Sequence, residues 1–495
     1  MKNEFDIKFL DWIIILIFAI IFYFINTSDN FSYGMETYIL ACIRDGKIYS
    51  SLFFGGVYLI VGKLITLIID ADTFLITKII NFIFSYLSLI VFMYILHSLG
   101  VRRWAVLLST LAVGLNFIFY SLSRKPDPIL AQIFLSGIIV YTAIASILTS
   151  EIKYYRWNLF FFAISFLNSF ISLLFLPAEI FLIFSQKSKK ERFILSGLGI
   201  VFLLIVIIAE IFLFIYNQNK TLLEIRLWVE ISSYDFVMNN IRFLLNLIYG
   251  YPILGFCFII IGMMFLYRIY QAIFKFILFT IISFVLFNCV SYFDSLKTEC
   301  IIHYICGIFI GITLNKIAAI EYRTYERWFQ TASLCFIFII FLPLFLYAAT
   351  PVILETYKVR PRLYEYPFSK FPCVRDLVYR NSIKELFKPW HKTGQEIFQL
   401  KNEIRLIVPH NGVMMVDPEL YFSLYDNDKR IVFIRPFEQL EFIAKCFREN
   451  KEIFIASLED YYYNKKEILE KYRLLKKGRF FQVIRKGEEW IKTNL

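Results

Sequence analysis

Most of the motifs that announce a soluble enzyme are missing from this sequence. It has no phosphate-binding GxxxxGK[ST] loop, no GxSxG elbow and no HExxH. Its four histidines, at positions 97, 303, 391 and 410, are too scattered to make a histidine metal cluster. Eight cysteines occur, none in a CxxC spacing, and most lie inside apolar runs, where they read as small buried apolar residues. Cys373 and Cys446 fall outside those runs and could pair only in an oxidising compartment. Internal repeats and low-complexity stretches are absent as well. Charge is scarce in the middle of the apolar segments, Glu210 standing close to an end, so no path of ionisable residues is expected through them.

Apolar residues fill the space. Of 495 residues 59% are hydrophobic, 56 of them Phe, and the mean hydropathy is +0.63. A water-soluble chain of this length needs far more polar surface, so most of this surface must face lipid. The formal net charge of +12 is not a nucleic-acid footprint, because the basic residues sit in short clusters between apolar runs. These clusters are Arg102 and Arg103; Lys153 and Arg156; Lys187, Lys189, Lys190 and Arg192; Arg268 and Lys275; and Arg323 and Arg327. They alternate with loops poor in basic residues, among them SDNFSYGMETY and YFDSLKTEC.

Lys and Arg are retained in the cytoplasm, and one assignment satisfies every cluster: N-terminus inside, C-terminal part outside, about eleven crossings. It requires residues 51–69 to lie on or dip into the outer leaflet. It also requires residues 157–184 to enter and return as two short helices around Asn168 and Pro177. Lys2 and Lys8 precede an apolar stretch over 12–25, but NTSDN after it offers no small-x-small cleavage site, so an uncleaved first helix over about 5–27 is expected. Three N-x-S/T sequons, at Asn26, Asn30 and Asn219, are expected by chance in so Asn-rich a chain.

Three domains are expected: a membrane domain over 1–350, a linker over 351–400 and an extracytoplasmic α/β domain over 401–495. In the last, IRLIV and RIVFI read as strands, EQLEFIAKCFREN as a helix and EIFIAS as a strand. KKEILEKYRLLKKG reads as a helix with a glycine stop, and FFQVIR as a final strand.

Ionisable residues at the mouth of a helical bundle are functional candidates. Asp29 stands just past the first apolar core, followed by FSYGMETYILACIRDGKIY. Tyr33, Glu36 or Thr37, Leu40 and Arg44 then share one stripe of a short interfacial helix. Asp29 reads equally as an N-cap. In YSLSRKPDPILAQIF, Arg124, Lys125 and Asp127 stand outside the next span, where Asp127 also reads as an N-cap and Pro128 as a first-turn residue. Lys297, His303 and Tyr304 make a third place, where the histidine suits a phosphate or an interfacial hydrogen bond and the tyrosine an aromatic belt. Two carboxylates beside cations suit a reaction that deprotonates one group and stabilises an anionic leaving group.

Taken in order, these features resemble the GT-C superfamily of membrane glycosyltransferases, in particular the protein O-mannosyltransferases and the transferases that add aminoarabinose to lipid A. Asp29, Tyr33 or Tyr38, Ala41 and Gly46 match the family's first outer loop. KPDPILAQIF with Asp127 resembles its second motif, and HYICGIF at His303 and Tyr304 the start of a late span. The stretch that supplies a lysine to the lipid phosphate in the family reads SSLFFGG here, leaving Arg44, Arg124 or Lys125 to take that part.

The resemblance implies an inverting transferase that takes sugar from a polyprenyl-phosphate donor at the outer face of a bacterial cytoplasmic membrane, acting on a lipid, glycan or protein acceptor. Asp29 would be the general base. Asp127 would position the acceptor or help hold a divalent metal, whose use stays open. Tyr33, Glu36, Arg44, Arg124, Lys125, His303 and Tyr304 would contact substrate. The rival class is a transporter or flippase of lipid-linked glycan intermediates.

Overall fold

The computed structural model describes residues 7–25, 43, 55–69, 73–116, 119, 122–123, 128–186, 188–216, 253–290, 295–318, 403–416, 430–433, 439–455, 465–477 and 480–486. They fall into two compact units, the helices up to residue 318 and the residues from 403 onward.

The helical unit contains α1 (Phe9–Ala19), continued as a π-helical stretch (Ile20–Ile25), α2 (Gly56–Ile68), α3 (Thr73–Ser98), α4 (Arg103–Leu115) and α5 (Ile129–Thr149). There follow α6 (Ile152–Asn168), a 3₁₀ turn (Phe170–Phe175), α7 (Leu176–Phe184), α8 (Lys189–Tyr216), α9 (Ile253–Ile269), α10 (Gln271–Val290) and α11 (Ser295–Ala318). Among the described residues, four helices are long and apolar enough to cross a membrane: Leu75–Ser98, Ile129–Thr149, Lys189–Ala209 and Thr298–Ile317. The windows in α5 and α11 are 83% buried and form the centre, whereas that in α8 is 11% buried and turns Phe193, Ile200, Leu204 and Ile208 outward. An apolar surface of that extent is stable only against lipid. The protein is an integral multi-pass membrane protein.

Small residues let the central helices approach closely. A Cβ at Gly137 of α5 would meet the Tyr304 hydroxyl of α11 at 2.6 Å, and one at Gly311 would meet Leu96 of α3 at 2.7 Å. The break between α6 and α7 has a local cause. Ser169 leaves the helix in an extended conformation, its hydroxyl accepts a hydrogen bond from the Ile171 amide, and Pro177 opens α7. This is the interruption expected around Asn168 and Pro177. Helix α2, with 13 residues, spans about 20 Å, too short for a bilayer core of about 30 Å. Tyr58 and Gly62 of α2 contact Asn81, Phe84 and Ile80 of α3, so α2 lies against the first turns of that helix.

The unit has two chemically distinct ends. At one, Arg103 holds Asp11 through three hydrogen bonds of 2.6–2.9 Å, and Asp11 also accepts from the Lys8 amide at 2.8 Å. Asn315 of α11 accepts from the Arg102 amide and donates to the Gly100 carbonyl at the same end. Helices α3 and α5 pair Phe84 with Phe134 and Tyr94 with Tyr141, so they run parallel and the α5–α6 turn with Lys153 shares that basic end. Arg103→Ala would leave the buried Asp11 carboxylate without its cation and is expected to cost about 3 kcal/mol. The check is thermal unfolding in detergent, where an unchanged midpoint would contradict the pairing.

The C-terminal unit is a mixed five-stranded sheet, in order β2-β1-β3-β5-β4, with β1 (Val413–Val416), β2 (Ile431–Phe433) and β3 (Ile453–Ile455) parallel. Strand β5 (Phe480–Arg485) pairs antiparallel with β3 and with β4 (Tyr472–Lys477). Helices α12 (Gln439–Arg448) and α13 (Lys465–Lys471) join the strands, and Ile443, Cys446 and Ile468 pack on Val413, Met415, Ile453, Ile455 and Val483.

Two sequence expectations are corrected here. IRLIV is not a strand: residues 403–407 are helical, because Ile404 and Val408, four apart, are the buried pair while Leu406 is 86% exposed. The helix expected throughout KKEILEKYRLLKKG stops at Lys471, where Tyr472 and Leu474 alternate onto the core as β4 and β5 supplies the ladder. Cys446 is a buried free thiol rather than half of a disulfide, and burial pushes it up from the ordinary thiol range. Cys373 lies outside the described residues.

Candidate active site at the end opposite the basic cluster

The other end of the helical unit is held by a polar seam. Asn168, the last residue of α6, accepts from the Tyr58 amide and donates to the Pro128 carbonyl and to Gln132 Oε1, each at 3.3 Å. Its own carbonyl accepts from the Gly55 amide at 2.8 Å. Gln132 in turn donates to Ser165 at 2.7 Å and Ser172 at 2.8 Å, and those two hydroxyls bond each other at 2.7 Å. Asn168, Gln132, Ser165 and Ser172 are all buried. Both amide groups donate both of their N–H bonds within the seam, which is the condition for keeping amides away from water. Gly55 has φ +103°, and a Cβ there would stand 2.5 Å from Pro128, so glycine is required for the approach.

The seam joins Gly55 and Tyr58 to Pro128, which are far apart in sequence. Residue 55 ends the segment that carries Asp29, Tyr33, Glu36 and Arg44, and Pro128 follows Arg124, Lys125 and Asp127 directly. These seven predicted site residues, with Tyr38, Ala41 and Gly46, lie outside the described residues. The N-cap of α5 is Pro128, one residue later than the sequence predicts, and it makes no side-chain cap.

The remaining candidates stand on α11, whose N-terminal half packs on the end of α4. The Asn116 amide nitrogen, at the end of α4, lies 3.2 Å from His303 Nδ1. An amide nitrogen can only donate, so Nδ1 accepts and the ring proton of the neutral imidazole sits on Nε2. Tyr304 is buried between helices, with its hydroxyl donating to the Ser88 carbonyl at 2.7 Å and its ring edge-on to Phe92. It therefore holds α11 against α3 and is not at a membrane–water boundary.

Two buried carboxyl groups escaped the sequence reading. Glu299 is fully buried one helical turn before His303, on the same face of α11. Glu179 is fully buried in α7 beside Asn158, whose amide donates to the Ile139 carbonyl and to Thr142 at the middle of α5. Glu179 is one ionisable residue level with the middle of α5, and it was not singled out from the sequence. Its signal was present as a lone Glu in LPAEIFLIF. Among the described residues, no group of three His, Cys, Asp or Glu is placed to hold a metal ion.

No family model and no curated protein sequence matches the chain. Its fold does match solved structures. ArnT from Cupriavidus metallidurans bound to undecaprenyl phosphate superposes with a TM-score of 0.55 at 11% identity, covering 97% of this chain and 99% of that one. The apo state of the same protein gives 0.57 at 12% identity, with 96% and 98% coverage. The arabinofuranosyltransferase AftD from Mycobacteria gives 0.50 at 10% identity over 94% of this chain, which spans 37% of that larger protein. The chain has the fold of the GT-C membrane glycosyltransferases.

Proposed function

We propose that the protein is a glycosyltransferase that moves a sugar from a polyprenyl-phosphate carrier to a lipid, glycan or protein acceptor at the outer face of a bacterial cytoplasmic membrane. The observation that carries this reading is the match of nearly the whole chain to a fold that, in ArnT, binds undecaprenyl phosphate. In this reading the basic end faces the cytoplasm, the seam end faces out, and the chain crosses about eleven times with the C-terminal unit outside.

The Asp29 carboxylate takes the proton of the acceptor hydroxyl or amine. The freed lone pair bonds to the anomeric carbon as its bond to the phosphate oxygen breaks, and the carrier leaves as polyprenyl phosphate with the electron pair. Backside attack inverts the configuration. Asp127 positions the acceptor, Tyr33 and Glu36 line the sugar, and Arg44, Arg124 and Lys125 offset the charge on the departing phosphate. His303 adds a neutral N–H donor from Nε2, fixed in that tautomer by Asn116.

His303→Leu is therefore expected to weaken undecaprenyl phosphate binding about tenfold, the loss of a hydrogen bond to a charged group. Titration of purified protein with undecaprenyl phosphate checks this, and no binding by wild type would remove the polyprenyl-phosphate part of the proposal. One observation favours a transporter, the carboxyl of Glu179 at mid-depth. A transport path needs a series of polar sites through the bilayer, and Glu179 is sealed beside Asn158.

A further inference from the structure

We propose that Asn168 is a positioning residue for the reaction: it locks Gly55 and Tyr58 to Pro128, the residue that follows Asp127 in the chain. This rests on the transferase reading above.

Asn168 spends every polar atom of its amide on two segments that no helix joins. Its oxygen holds residue 58, its nitrogen holds residue 128, and its backbone carbonyl holds residue 55. The bonds to the Pro128 carbonyl and to Gln132 allow one orientation of the amide, because reversing it would set oxygen against two acceptors. Gln132 and the two serines then brace Asn168 from the membrane side. The clamp ends the α6 helix at the interruption before the 3₁₀ turn, which gives the short paired helices of this region a task at the outer mouth.

Packing tightens the same contact. Gly55 presses its backbone on the Pro128 ring, with no room for a Cβ between them. Asp127 is bonded covalently to Pro128, so displacement of the Pro128 carbonyl displaces Asp127 with it. Catalysis by positioned groups is steep in distance, and an error of about 1 Å costs on the order of a hundredfold in rate. A clamp of four hydrogen bonds and one close contact is a physical means of holding that tolerance.

The test is steady-state sugar transfer by the full chain in proteoliposomes, with a labelled undecaprenyl-phosphate sugar, for wild type, Asn168→Asp and Asn168→Ala. The aspartate keeps the acceptor for Tyr58 but sets a carboxylate oxygen against Pro128 and Gln132. The alanine removes all three side-chain bonds. Rates are divided by the amount of folded protein, and the thermal midpoint is recorded for each variant. The expected result is a kcat lowered by ten- to a hundredfold per folded molecule, on the order set by misplacement of a reacting group, with KM for the donor within about twofold of wild type. If either variant folds and transfers at the wild-type kcat, Asn168 serves packing alone and the proposal is overturned. If neither variant folds, the clamp is a folding element and the positioning role is overturned as well. Absence of transfer by wild type, with any donor, overturns the transferase reading itself and this role with it.

Discussion

Asp29→Asn is expected to insert and fold as wild type does while losing about a thousandfold in transfer rate. General-base catalysis contributes on the order of 10²–10⁴ in rate, and asparagine keeps the shape of aspartate without its capacity to take a proton. Because asparagine matches aspartate in shape and volume, the thermal midpoint should stay within a few degrees. The measurement is initial rate against donor concentration. A fall in kcat with KM for the donor preserved identifies a group that acts on the acceptor's proton. An Asp29→Asn protein of full activity would mean that the base stands elsewhere. Glu299, buried on the face of α11 that carries His303, would then become the carboxyl group to replace.

The largest expected effect on stability is at Gly262. A Cβ at this position would enter the backbone carbonyl of Phe309, so α9 and α11 touch through their main chains. Neither partner can yield cheaply. Helix α11 is also pressed on Val113 and Phe92 at Gly307 and on Leu96 at Gly311, and Thr313 donates to the Phe258 carbonyl at 2.7 Å. Overpacking a fixed contact costs about 1–3 kcal/mol, more where backbone must move, so Gly262→Ala is expected to lose about 3 kcal/mol and Gly262→Leu to yield no folded protein. The check is the thermal midpoint and the monodisperse fraction in detergent. A Gly262→Ala protein with the wild-type midpoint would contradict the close approach of the two helices.

How much of this was legible in the sequence depended on whether the signal was local. The polytopic class and most of the C-terminal elements follow from hydropathy and turn chemistry in short windows, and the break at Asn168 and the short α2 from the alternation of basic clusters along the chain. The seam was not. Gln132, Ser165 and Ser172 look like stray polar letters in apolar helices, and their pairing crosses 33 to 40 residues of chain. The Asp11–Arg103 bridge spans 92 residues, and the Asn116–His303 contact 187.

The two misread elements failed for a related reason. Residues 403–407 and 472–477 carry apolar residues at spacings compatible with helix and strand; burial of Ile404 and Val408 decided the first, and pairing with β5 the second. The order of the outward motifs led to the fold, and the residues that brace those motifs became visible only with the helices assembled.

The measurement that bears most directly on the central claim is the fate of label from a polyprenyl-phosphate sugar in proteoliposomes that contain a mixed lipid and glycan acceptor pool. Covalent label on an acceptor, dependent on the protein and accompanied by release of polyprenyl phosphate, is the predicted result. Label that crosses the bilayer still attached to its carrier, with no acceptor modified, would contradict the account and make the protein a flippase.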